Sequence, residues 1–179
     1  MTKRFLAALP LSVLIALSAC VTPSKPPPAP APTPPPAPAS VPTPTPTYSN
    51  WMDAPQTPGD WFYISQPPAS IAAFGPAARQ PMFAMRCDPA RRIVSVGRTS
   101  ASVTPQLMTI RTETATRTFT AQPAQGSVEH LVAAGLTATD PFLDAIAFSK
   151  GRFAVEVPGE PTLYLPSWPE ISRVIEDCR

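Results

Sequence analysis

The chain has 179 residues, of which 44% are hydrophobic, 15% are charged and 28 are proline. With Lys3, Arg4 and Lys25 set aside, 11 of the 14 basic residues remain against all 12 acidic ones, so residues 48–179 carry a net charge of −1. That excludes nucleic-acid binding driven by phosphate neutralisation, and no apolar run reaches the roughly 18 residues of a membrane-spanning helix.

The first segment, residues 1–19, reads as an export signal: Lys3 and Arg4, then the apolar stretch Phe5 to Leu17, then Ser18-Ala19 before Cys20. Leu17-Ser18-Ala19-Cys20 resembles the lipobox of bacterial lipoproteins. The resemblance implies cleavage before Cys20, a diacylglycerol on its thiol and an acyl chain on its new amino group. At about 0.8 kcal/mol per buried CH₂, such chains hold a protein firmly in a leaflet. Val21 and Thr22 follow the cysteine rather than aspartate, which in that family implies the outer membrane, with the domain facing the periplasm.

Residues 20–47 form the lipidated terminus and a linker. Thirteen prolines fall between Pro23 and Thr47, interleaved with Ala, Thr, Ser and Val. Proline fixes φ and removes the N–H donor, so this is a polyproline II spacer rather than a core. At about 3.1 Å per residue it can reach roughly 80 Å. A docking ligand for a proline-reading partner is the sharper reading, but almost nothing in it besides Lys25 would supply specificity.

Residues 48–179 are long enough for one domain with a real core, burying roughly two-thirds of its unfolded surface. Trp61–Ile64 and Ile71–Phe74 read as the first strands. Met82–Cys87 and Arg92–Arg98 read as an antiparallel hairpin around Asp88-Pro89-Ala90-Arg91, whose Asp and Pro suit a type I turn. Leu107–Thr112 and Arg117–Thr120 alternate as a second hairpin, with Met108 and Ile110 on one face. Val128–Thr139 is ambiguous between helix and strand. Asp140-Pro141 reads as a cap and first helical residue, with Phe142, Leu143, Ile146 and Ala147 forming one face and Gly151 the stop. Arg152–Val157 and Thr162–Leu165 form a last hairpin. Ser167-x-x-Glu170 reads as a capping box opening a terminal helix, whose inward face is Ile171, Val174, Ile175 and Cys178. The expected fold is α+β: an antiparallel sheet of six to eight strands, one short helix and one terminal helix.

Three cysteines are an odd number for an exported chain. With Cys20 lipidated, Cys87 and Cys178 are left to form a disulfide in the oxidising periplasm, or else to remain as two buried thiols. They make no metal site with a single distant histidine. The segment Asp140–Val155, with Leu163–Pro166 and Glu176–Arg179, is similar to small uncharacterised envelope proteins of alphaproteobacteria. The resemblance implies an envelope location and a two-cysteine domain, and carries no activity.

Candidate chemistry is sparse. His130, the only histidine, has no motif around it. Ser149 and Lys150 are adjacent and so point about 100° apart on a helix, unlike a Ser/Lys pair spaced by a turn. Asp140 and Asp144 lie one turn apart, but Asp140 is better used as a cap. Glu176 and Asp177 adjoin Arg173 and Arg179 as an ion-paired end. Trp51, Trp61 and Tyr63, with Trp168, could make a stacking platform for a sugar or peptide, or could be core. Ten arginines against one lysine in residues 48–179 could mark an anion-binding face, or an ordinary surface. No motif calls for a cofactor. The expectation is a non-enzymatic binding or envelope-assembly lipoprotein whose partner is an envelope protein or peptidoglycan. An inhibitor of an envelope-active enzyme such as a lysozyme is the first alternative, and an enzyme the second.

Overall fold

A computed structural model of the chain describes residues 50–124 and 130–179. They belong to a compact unit running from Thr43 to Arg179. The export signal, Cys20, the proline-rich spacer, and Val128 and Glu129 of the ambiguous segment lie outside the described residues.

Asn50 opens the fold by accepting the Met52 N–H on its side chain, which caps a short 3-10 turn at Trp51–Asp53. Strands β1 (Asp60–Gln66), β2 (Ala69–Gly75), β3 (Phe83–Asp88), β4 (Ile93–Thr99), β5 (Gln106–Arg111) and β6 (Thr116–Pro123) follow. After them come β7 (Leu131–Thr137), helix α1 (Pro141–Ala147), β8 (Arg152–Glu156), β9 (Leu163–Pro166) and helix α2 (Pro169–Glu176). The strands form a sheet in the order β1-β2-β3-β4-β7-β6-β5-β8-β9. Every pairing is antiparallel. The fold is therefore mostly antiparallel sheet with two short helices, and its nine strands exceed the expected six to eight. The extra strand is β7, in the segment that read ambiguously. Ala133, Ala134 and Gly135 blur its alternation, yet it pairs with β4 at seven positions, from Thr99↔Leu131 to Ile93↔Thr137. Tertiary pairing, not propensity, makes it a strand.

Strand β6 bends the sheet. From Thr116 to Ala121 it pairs with β5, while its last residues, Gln122 and Pro123, pair with β7. The sheet thus divides into a half built on β1–β4 and β7 and a half built on β5, β6, β8 and β9. Their inner faces meet. Phe83 of β3 packs edge-on against Phe153 of β8 at 5.7 Å between ring centres, and Trp61 of β1 bridges Phe74 and Phe83. The sheet edges meet as well. The Trp61 indole N–H donates to the Pro166 carbonyl at 2.9 Å, and the Thr57 N–H donates to the Tyr164 carbonyl at 2.9 Å. The sheet wraps around one core that also takes Met85, Val94, Val96, Met108, Ile110 and Leu165.

The helices close this core. In α1, Asp140 accepts the Phe142 N–H at 2.9 Å, Pro141 fills the first turn, and Phe142, Leu143, Ile146 and Ala147 are buried as expected. The helix ends at Ala147 instead of running to Gly151, because the Ser149 hydroxyl donates to the Arg152 carbonyl and accepts the Glu113 N–H, pulling the chain towards β8. Gly151, at φ +82°, supplies the left-handed residue of that turn. Helix α2 lies across β1, β2 and β3, burying Ile171, Val174 and Ile175. Its expected capping box does not form. Trp168 occupies the cap position without a side-chain bond, and the Ser167 hydroxyl donates instead to the Ile146 carbonyl at 2.9 Å. The hydroxyl is turned to that tertiary carbonyl, and the helix begins one residue later than the box requires, with Trp168 at the cap.

Beyond α2, Cys178 is joined to Cys87 of β3 by a disulfide, with 5.4 Å between Cα atoms and 91 residues of separation. The free-thiol alternative is thereby set aside. The bond ties the end of the chain to a central strand. On the chain-entropy model, closing a loop this long contributes about 4–5 kcal/mol. Denatured, unreduced protein is expected to show no alkylatable thiol at these two positions. The Cys87→Ala/Cys178→Ala variant is expected to unfold at markedly lower urea, by about 2–5 kcal/mol; two alkylated cysteines before reduction would contradict the bond.

Candidate functional site

Directly opposed residues of antiparallel strands share a face, so the register reads out one row across the outer side of the first half-sheet. From β1 to β6 it runs Phe62, Ala73, Ala84, Gly97, Ala133 and Gln122. Four consecutive strands thus present only Ala or Gly, and the missing side chains leave a trough. Ile64, Ile71 and Arg86, one row along, bound it on one side, and Ala78, Pro81 and Leu131 on the other; its volume is about 700 Å³. The wall at Ala78 and Pro81 depends on Gly75. A Cβ there would lie 2.2 Å from the Gln80 carbonyl oxygen, so only glycine lets the loop fold back this closely.

Charge around the trough is one-sided. Arg86 and Arg91 line it, and among the described residues no acid does. Arg91 is held by Asp88, with 2.7 Å between Nε and Oδ2, and this bond keeps the Asp88 carboxyl below its usual range, with Arg86 adding a smaller Coulombic contribution. Exposed Arg86 makes no hydrogen bond or ion pair among the described residues. The surface can take an extended chain with small side chains against its Ala/Gly floor, and an anionic group at the Arg86 end.

The aromatic platform is dispersed. Trp61 is 6% exposed and belongs to the core. Tyr63 donates its hydroxyl to Asp177 at 2.7 Å and lies under the Arg173 guanidinium, 3.7 Å from its ring centre, so it secures α2 to β1. Trp51 sits in the 3-10 turn before β1. The charged candidates are likewise engaged. Asp140 caps α1 and pairs with Arg117 at 2.7 Å, which also lies over the Phe142 ring. Asp144 and Glu176 both pair with Arg179. Ser149 is buried in its two backbone bonds, and His130 is exposed next to β7. No group of three or more metal-ligating side chains occurs among the described residues.

One buried charge escaped the sequence reading. Arg98 of β4 is 3% exposed and faces inward between the half-sheets. It donates to the carbonyls of Val155 at 3.3 Å and Pro161 at 2.5 Å, and no carboxylate among the described residues pairs with it. Burial pulls its guanidinium below the usual arginine range, partly countered by Glu160. It works as a clamp between β4 and the β8–β9 hairpin.

Comparison with protein-family models, curated proteins and solved structures finds no match for this chain.

The electrostatics of Asp140 make a testable case. Burial pushes its carboxyl up, but the Arg117 hydrogen bond, the Phe142 N–H and the Arg117 charge outweigh that and hold it below its usual value. A depressed folded-state pKa contributes stability above the unfolded value of about 3.9 and loses it as pH falls through the folded value. Asp140→Asn keeps a capping oxygen but removes the charge. Urea melts at pH 7 should show the variant less stable than the parent, and melts near pH 2 should show the difference largely gone. A constant difference would assign the effect to the cap alone.

Proposed function

We propose that this chain is a lipid-anchored module of the bacterial envelope, held at the outer membrane through Cys20 and facing the periplasm. It acts by binding an envelope protein or peptidoglycan, not by catalysis. The anchor rests on the order of charged start, apolar stretch and Leu17-Ser18-Ala19-Cys20. The pairing of Cys87 with Cys178 supports it, because it leaves Cys20 as the odd thiol. Tethering raises effective concentration, so a modest affinity suffices.

The observation that carries the binding reading is the outer trough: four small residues in register, walled by apolar side chains, with the exposed Arg86 at one end. An ordinary solvated sheet face alternates in long polar side chains; this one has shed them where a ligand backbone could approach. The engagement of Ser149, Asp140 and Asp144 in caps, turns and ion pairs supports a non-catalytic role.

Two tests separate anchor from site. Cys20→Ala should abolish acyl labelling and change membrane fractionation; unchanged fractionation contradicts the anchor. A photo-reactive side chain introduced at Ala84 in the full lipoprotein should capture one dominant envelope component in cells. The same group at exposed Leu107, on β5, should not. Equal capture from both positions would remove the trough from the account.

A further inference from the structure

The two long sides of the outer trough differ in chemistry. Ala78, Pro81 and Leu131 make one side apolar. On the other side polar groups gather. Arg86 of β3 is directly opposed to Ser95 of β4, Gln66 ends β1, and Arg91 follows in the turn between β3 and β4. Ile71 opposes Arg86 from β2, so apolar surface adjoins the guanidinium. Arg91 meets Asp88 through its Nε. With two arginines and no acid among the described lining residues, the trough attracts anions and repels cations.

This chemistry sorts the ligands an envelope can offer. An added protein strand uses the open N–H and C=O groups of a sheet edge, but β2, β3 and β4 are central strands paired on both sides. A sugar ring stacks on aromatic faces, and no aromatic residue is among the described lining residues. An acyl chain would cover Ser95 and Gln66 without offering either a partner, which costs free energy at each group. The fitting ligand is a short chain with methyl-sized side chains for the floor and free carboxylates for the arginine side. Among envelope polymers the stem peptide of peptidoglycan has that chemistry, with alanines flanking residues that carry free carboxylates. Resting on the binding role proposed for the trough, we propose that its ligand is this stem peptide, with carboxylates held by Arg86 and Arg91 and alanine methyls seated over Ala84 and Gly97. Arginine takes a carboxylate through two parallel N–H bonds. The volume of about 700 Å³ lies within the roughly 300–1,000 Å³ of small-ligand sites, a size for a few residues and not for a folded partner.

The test is calorimetry of the full chain in detergent, with the disaccharide tetrapeptide released from peptidoglycan as the probe. The probe should bind, and the same disaccharide without its peptide should not. Amidating the carboxylates of the probe should weaken binding. Arg86 is exposed, so Arg86→Gln should leave the melting midpoint unchanged and weaken binding about tenfold or more. Binding that survives Arg86→Gln, or that the peptide-free disaccharide reproduces, would overturn the proposal. Tighter binding of palmitate would overturn it in favour of an acyl chain. If the probe fails to bind while a photo-reactive group at Ala84 still captures one dominant component in cells, the stem peptide is wrong and the trough stands. If Ala84 also captures no more than Leu107, both fall.

Discussion

The contact of Phe83 with Phe153 holds the two halves of a single bent sheet face to face, and the remaining architecture follows from it. With Trp61 and Phe74 it makes a continuous set of edge-on rings from β1 to β8. Each fully buried large side chain stabilises by about 1.5–3 kcal/mol, and edge-on ring pairs add about 0.5–1.5 kcal/mol. The bend that permits the contact lies in β6, which changes partners between Ala121 and Gln122. Arg98 spans the same seam, exchanging hydration for two carbonyls. A sheet closed in this way has its inner face committed to packing, so recognition is left to the outer face.

The disulfide and α2 act on this frame from one side. Helix α2 has only eight residues, and so short a helix is marginal on its own. It is secured by Ile171, Val174 and Ile175 beneath it, by Tyr63 on Asp177, and by Cys178 on Cys87. Binding the carboxyl terminus to β3 also steadies the strand that carries Ala84 and Arg86 on its opposite face. The domain therefore has a stapled inner side and a recessed outer side, joined through the same central strand.

Features governed by local chemistry were legible in the sequence. Asp88-Pro89 marked a hairpin, Asp140-Pro141 a capped helix, and the spacing of Ile171, Val174, Ile175 and Cys178 an inward face ending in a disulfide. Features governed by register or by competing partners were not. Strand β7 hid behind Ala-Ala-Gly. Ser167 matched a capping pattern, but its hydroxyl is turned to the Ile146 carbonyl, and no local rule names a partner 21 residues away. Trp61 and Tyr63 looked like a platform because aromatics do not declare their face; strand parity turns both inward. The trough could have been glimpsed as Ala84 and Gly97 at outward positions of their hairpin, but its extension to Ala73 and Ala133 is a property of strand order alone.

The proposed function would join these parts: acylation of Cys20 for location, the proline-rich segment for reach, and the outer face of a closed sheet for binding. Its central structural claim is that the half-sheets are coupled through Phe83 and Phe153, and a double-mutant cycle tests it most directly. Unfolding free energies of the parent, Phe83→Leu, Phe153→Leu and the double variant should reveal a coupling of about 0.5–1.5 kcal/mol. Additivity to within about 0.3 kcal/mol would mean that the two halves do not meet there, and the closed core would be contradicted.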